Sequence, residues 1–417
     1  MPQVWGSRRR IVMKKSFILG IGAILVISFM ITSVSFAAGG PFLPNIPKTW
    51  TQIYPDDVDP NFQYNGLTPS CAACPACNPD FSFFVKGGKV NNLVIYFQGG
   101  GACWDSMNCL YVHTYYEEVP PLAMFSNTAG MGIFDTENPD NPFKDWYFVY
   151  IPYCTGDIHW GANDFAYPDD QDQIPGVDSW TIRHRGFVNF QLVMKWVKDN
   201  FRYPFNIFVS GSSAGGYGAI MGFPYIKEAY PLSKVSVLGD AANGVIGGTF
   251  ETDSISNWNI QLPRWIPGFE NGYVLGMDMA DVYIDIARYY RLSKLAQFTT
   301  AWDWNQTFFY NVMLNIDDPG SWNTGWQSVW CDWHGSMLSL VDATADQARN
   351  YRYYIAAGNY HTIMMSPEFY TESSAGVSFV KWVSDMVYNP FGMFGGPLSG
   401  KWKNVECTNC QDPFPCP

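Results

Sequence analysis

Phe205-Asn206-Ile207-Phe208-Val209 runs through Ser210 into Gly211-Ser212-Ser213-Ala214-Gly215. The first five residues are a β-rich apolar run, and the last five match G-x-S-x-G ahead of a Gly- and Ala-containing helix start. The order is therefore strand, sharp turn, helix. Such a turn holds its central serine in strained backbone geometry, and glycines two before and two after it let neighbouring backbone pass without a Cβ clash. Ser213 is expected to project above the end of a sheet at a helix N-terminus, where backbone N–H groups favour a developing oxyanion.

Working outward, Leu93–Phe97 and Trp146–Ile151 read as buried strands, and Phe187–Phe201 carries apolar residues at helical spacing. Further strands are expected at Val235–Leu238, Leu295–Thr300 and Tyr353–Ala357, with helices near 335–350 and 377–388. Alternating strands and helices predict an α/β fold of the α/β-hydrolase type, a mostly parallel sheet flanked by helices. The aromatic segment 243–290 interrupts the alternation and reads as an inserted lid or pocket wall. Residues 38–80 read as an irregular Cys- and Pro-rich wrap and 389–417 as a Cys-rich tail, so 38–417 is read as one catalytic domain with disulfide-pinned loops.

The 417 residues, 47% hydrophobic and 15% charged, suffice for a large core and carry too little charge for a disordered chain. A net charge of −12, with no basic cluster beyond residue 15, excludes nucleic-acid binding by counterion release. Arg8, Arg9, Arg10, Lys14 and Lys15 precede an apolar stretch from Phe17 to Ile31, and Ser35-Phe36-Ala37 supplies small residues at cleavage spacing. Residues 1–37 are read as a signal peptide, possible translation start at Met13 included, with an uncleaved anchor as the alternative. The membrane is expected to be met only through this segment. It holds five of the 25 Lys and Arg and none of the 37 Asp and Glu, so its removal leaves −17. Ten cysteines in an exported chain point to disulfides. Cys71, Cys74 and Cys77 do not make an iron–sulfur pattern, because its fourth ligand would fall at Phe81.

A serine nucleophile needs a base and an acid, which in this fold follow it in that chain order as acid, then His. Two histidines follow Ser213. His361 lies just past the last strand and is favoured over His334, which precedes a helix. Asp303, after Leu295–Thr300, is favoured over Asp240, after Val235–Leu238. A carboxylate there could accept the Nδ1 proton and fix the histidine tautomer. Gly99-Gly100-Gly101 directly follows Leu93–Phe97, so the N–H groups of Gly100 and Gly101 with Ala214 are the expected oxyanion hole. Trp104 and Tyr217 flank these elements and are candidate pocket walls.

Together Gln98–Trp104 with Cys109, Gly211–Gly216, Ala301-Trp302-Asp303-Trp304-Asn305-Gln306 and the late His361 resemble the pectin acetylesterase and Notum family, over roughly residues 80–365. The resemblance implies an α/β-hydrolase fold, a Ser213–Asp303–His361 triad, an oxyanion loop at Gly100 and Gly101, and a Cys103–Cys109 crosslink. The chain departs from the family in having Gln98 where Glu is frequent, and Tyr360 and Thr362 beside the histidine where Cys is frequent. The expectation is a secreted or periplasmic serine carboxylesterase, monomeric, with no metal or organic cofactor. Its substrate would be an acylated carbohydrate, foremost O-acetyl groups of a polysaccharide. A lipid or other acyl ester, or a non-catalytic binding role on the same fold, is the alternative. The 17% aromatic content suits sugar stacking, whereas the acidic charge would repel de-esterified pectin unless Lys and Arg gather at the cleft.

Overall fold

The computed structural model describes residues 43–388 except 75, 76, 129 and 173, together with 402–407, 410 and 416. The signal segment 1–37 and most of the 389–417 tail lie outside the described residues. The longer strands are β1 (Thr51–Ile53), β2 (Phe83–Lys86), β3 (Asn92–Phe97), β4 (Tyr147–Ile151), β5 (Asn163–Pro168), β6 (Ser179–His184), β7 (Asn206–Ser212), β8 (Lys234–Asp240), β9 (Lys294–Thr300) and β10 (Tyr351–Ala356). Eight of them form one sheet in the order β1-β2-β4-β3-β7-β8-β9-β10. From β4 to β10 every pairing is parallel, and β1–β2 and β2–β4 are antiparallel. This is the mostly parallel α/β sheet anticipated from the alternation.

Alternate residues of each strand build two separate cores. Leu93, Ile95, Phe97, Ile207 and Val209 pack on one face with α3 (Gly186–Asn200), α4 (Ala214–Ala229), α6 (Met279–Tyr289) and α8 (Trp326–Gln347), through residues such as Val193, Ile220, Ile286 and Met337. Val94, Tyr96, Phe208, Leu238 and Phe298 face the other way, onto Phe125 of α2 (Leu122–Thr128), Phe369 of α9 (Glu368–Thr371) and Phe379 and Trp382 of α10 (Phe379–Tyr388). Burial on both faces makes these strands almost continuously apolar, each large side chain contributing about 1.5–3 kcal/mol.

Four features differ from the sequence expectations. The wrap is not wholly irregular: it adds the edge strand β1 and a short helix α1 (Pro55–Val58). An antiparallel hairpin, β5–β6, occurs where no strand was expected, because its alternation of exposed and half-buried residues is too polar to stand out. Segment 243–290 is divided: α6 is an ordinary crossover between β8 and β9, capped by Asp278, while the stretch before it, with α5 (Phe250–Trp258), lies against the sheet's loop end. Helix α8 also begins nine residues before the expected 335.

Disulfides join Cys71 to Cys154, Cys74 to Cys77, Cys103 to Cys109, Cys331 to Cys416 and Cys407 to Cys410. Cys331–Cys416 and a bridge between Val405 and Tyr354 secure described parts of the tail to α8 and β10. Among the described residues no helix is long and apolar enough to cross a membrane.

Candidate active site

The chain leaves β3 for β4 on one side and later returns to β7 on the other, so a crevice opens beyond the carboxyl ends of β3 and β7. The glycine loop follows β3 and Ser213 follows β7. Ser213 has φ 57° and ψ −126°, outside the regions open to L-residues without strain, and it caps α4. A Cβ on Gly211 would sit 2.1 Å from Gly215 O, and one on Gly215 would sit 2.0 Å from Phe97 O. Both glycines are therefore steric requirements of the turn. Gly101 is a third, with φ 79° and a Cβ position 1.9 Å from Thr114 O.

Asp303 ends the turn after β9 and is the N-cap of α7 (Trp304–Leu314), its Oδ1 accepting from the N–H groups of Asn305 and Gln306 at 3.0 and 2.9 Å. Gln306 Nε2 donates to Asp303 Oδ2 at 3.0 Å. The fully buried carboxylate meets His361 Nδ1 at 2.8 Å from Oδ2 and 2.9 Å from Oδ1. Burial pushes the His361 pKa down, but the charge and hydrogen bond of Asp303, with the charge of Asp240, outweigh it and leave the value raised. His361 Nε2 is buried without a hydrogen-bond partner, so Ser213 Oγ is not bonded to it. Ser213 and His361 nonetheless line the same cavity.

That cavity has an empty volume of about 770 Å³, its mouth included. Its wall is mainly apolar, with Ile158, Trp160, Val245, Ile246, Phe250, Met279, Phe309, Met313 and Trp333, and it also includes Asn305 and Gln306 and, with Ser213, Gly101, Ala214 and Tyr217. Tyr217 is held by its hydroxyl, which accepts from Gly244 N–H at 2.9 Å, and burial raises its pKa. Gly100 lines an adjoining outer cleft that also reaches Ser213 and His361.

Residues 72–246 match the family model described as Pectinacetylesterase. Over these residues the chain is similar to the pectinacetylesterase family. Arabidopsis thaliana pectin acetylesterase 11 is 26% identical over 169 residues, 39% of this chain and 39% of that protein. The zebrafish (Danio rerio) palmitoleoyl-protein carboxylesterase notum1a is 24% identical over 197 residues, 45% of this chain and 36% of that protein, and mouse (Mus musculus) palmitoleoyl-protein carboxylesterase NOTUM is 20% identical over 212, 48% and 40%. The aligned region thus spans about two fifths of the length of these relatives. The pectinacetylesterase match includes Gly100, Gly101, Ser213 and Ala214 but stops before Asp303 and His361, whose placement rests on the geometry above.

The two rivals have other positions. His334 lies outside the cavity lining, Nδ1 against Ala301 O at 2.7 Å and ring stacked on Trp302. Asp240 accepts from the N–H groups of Ile363 and Met364, just past His361, at 3.0 and 2.9 Å. Trp104 corrects an expectation: it is 0% exposed, edge-on to Phe250, and does not line the cavity. The Cys103–Cys109 loop turns its indole inward. Sequence reasoning missed His159, whose Nε2 contacts Gln98 O at 2.9 Å beside the glycine loop, and whose pKa burial lowers to about 4. It also missed Asp157, which accepts from Thr155, His159, Gly161 and Gly186 around that histidine. Neither belongs to a motif; Asp157-Ile158-His159 was the only local hint.

Proposed function

We propose that the protein is an exported serine carboxylesterase whose nucleophile, base and acid are Ser213, His361 and Asp303. The observation that carries this reading is the state of His361: Nδ1 is occupied by a buried carboxylate while Nε2 is buried, unpartnered and in the cavity of a strained serine. His361 Nε2 takes the Ser213 proton as Oγ bonds to the ester carbonyl carbon. Negative charge then moves to the carbonyl oxygen, received by the N–H groups of Ala214, Gly101 and Gly100. Collapse breaks the bond to the alcohol, which leaves with the proton from Nε2. Water, deprotonated by the same imidazole, cleaves the acyl-enzyme and releases the acid. The five disulfides support an extracytoplasmic location.

The cavity favours an acyl group larger than acetyl. Bulky apolar side chains, Phe250, Phe309, Met313 and Trp333 among them, line it. An acetyl methyl would leave most of that apolar wall uncovered. Removal of O-acetyl groups from a polysaccharide remains the second reading, favoured by the match to the pectinacetylesterase model.

The test combines a fluorophosphonate label with acyl esters of rising length. Labelling of wild type and none of Ser213→Ala is expected, with kcat/KM rising from acetate to octanoate. Folded, disulfide-bonded protein that resists the label would instead be a binding protein, and a preference for acetate would restore the O-acetyl reading.

A further inference from the structure

The mainly apolar cavity accounts for only the acyl half of an ester. A second, wider cleft opens outward from the same serine, with an empty volume of about 1740 Å³ including its mouth. The two share Gly101, Ser213, Asn305, Phe309 and His361, so a carbonyl at Ser213 would send its acyl chain one way and its alcohol the other.

Two features of the outer cleft bear on that alcohol. It presents large aromatic faces to solvent: Tyr116 is 57% exposed and Trp304 49%. Neither sits on a loose loop. Tyr116 N–H donates to Gly100 O at 2.8 Å, and Trp304 N–H donates to Asn359 O at 3.1 Å, two residues before His361. One ring is thus tied to the glycine loop and the other to the histidine loop. Trp304 and Phe308 lie four apart on α7, on one face of a helix whose cap is Asp303. The second feature is charge. Among the described residues lining either cavity there is no Asp, Glu, Lys or Arg. The polar side chains lining the cleft include the neutral Thr114, Asn305 and Asn323, and His113 is turned to Glu117.

Exposed aromatic faces beside amide and hydroxyl groups match a ring with an apolar C–H face and a rim of hydroxyls. A polyuronate would bring repeated carboxylates into a cleft with no cation, on a chain of net charge −12. Resting on the esterase reading above, we infer that the outer cleft binds the alcohol half of the ester as a neutral sugar, so that the substrate is a neutral saccharide carrying a fatty acyl ester.

The experiment follows octanoate release from octanoyl glucose, octanoyl galacturonate and ethyl octanoate, which share the acyl chain and differ in the alcohol. Wild type should prefer the glucose ester to both others. Trp304→Ala and Tyr116→Ala should each reduce the glucose-over-ethyl preference about tenfold, mainly through KM. Trp304→Phe, which keeps an aromatic face, should retain most of it. Fluorophosphonate labelling of each variant reports whether the serine site is still assembled. Labelled enzyme that shows no glucose preference, that handles the galacturonate ester as well, or whose variants lose both neutral esters equally, overturns the sugar subsite and leaves the esterase reading standing. Absence of both labelling and octanoate release overturns the two together.

Discussion

Ser212 Oγ donates to Asp240 Oδ2 at 2.5 Å, between residues paired in register at the ends of β7 and β8. The hydroxyl of Tyr96 contacts the same Ser212 oxygen at 2.5 Å. Because Asp240 also accepts from Ile363 and Met364, one buried carboxylate joins the strand that ends in the serine turn to the loop that carries His361. Removing a buried acceptor strands its donors, at about 1–3 kcal/mol for each group. Asp240→Ala should therefore cost about 3 kcal/mol or more in urea melts near neutral pH, and an effect below 1 kcal/mol would show that the junction is not under load.

The pH dependence has a defined sign. In the proposed mechanism His361 acts as a base only when neutral, and its pKa is raised, so kcat/KM should climb through an acid limb centred above the ordinary histidine value of about 6.5. Asp240→Asn removes one of the charges that favour imidazolium and should move the limb to lower pH; a limb that stays put or moves up would contradict that coupling.

Stability should respond to Asp240 as well. Burial raises its carboxyl to about 6 despite the bonds from Ser212, Met364 and Ile363. With the folded pKa above the unfolded one, its contribution is fully present below the unfolded value and is lost as pH rises through about 6. The stability difference between Asp240→Asn and wild type should thus shift in favour of the variant from about pH 4 to about pH 6, read from melts at fixed ionic strength.

Backbone strain at Ser213 separates stability from chemistry. Strain of this kind costs about 1–3 kcal/mol and is relieved by glycine. Ser213→Gly should raise stability by about 1 kcal/mol while abolishing fluorophosphonate labelling. A lower melting temperature would mean that the side chain, and not the main chain, sustains the turn.

At Asp303 charge and capping can be split. Asp303→Asn keeps an oxygen for the N–H groups of Asn305 and Gln306 but loses the charge facing Nδ1, so it should lower kcat by about 10³–10⁴ with little change in stability. Asp303→Ala should lose about 1 kcal/mol besides. Equal activity of Asn variant and wild type would remove Asp303 from the triad.

Acyl length is testable from inside the cavity. Val245→Phe adds a ring to the wall and should reduce hydrolysis of octanoate esters at least about tenfold more than that of acetate esters. Uniform loss on both would place the acyl chain elsewhere.

Short-range sterics made much of this protein readable from its sequence. The serine turn could be recognised because its glycine requirements fall within five residues, and the buried strands because apolar runs of that length leave few alternatives. The same reasoning narrowed base and acid to two candidates each. Choosing between them needed the packed chain, since Asp240 and Asp303 both end strands and only their three-dimensional neighbours show which one meets His361. Trp104 was misjudged for the same reason: proximity to a motif does not say which way a ring turns once a crosslinked loop closes. The β5–β6 hairpin was too polar to register, and the His159–Gln98 support spans 61 residues. Sequence alone determined the α/β alternation and the place of the strained serine turn, because these are set by local covalent geometry and periodicity. Tertiary structure alone decided the partners of His361 and the two cavities that meet at Ser213, because burial and empty space arise from segments distant in the chain.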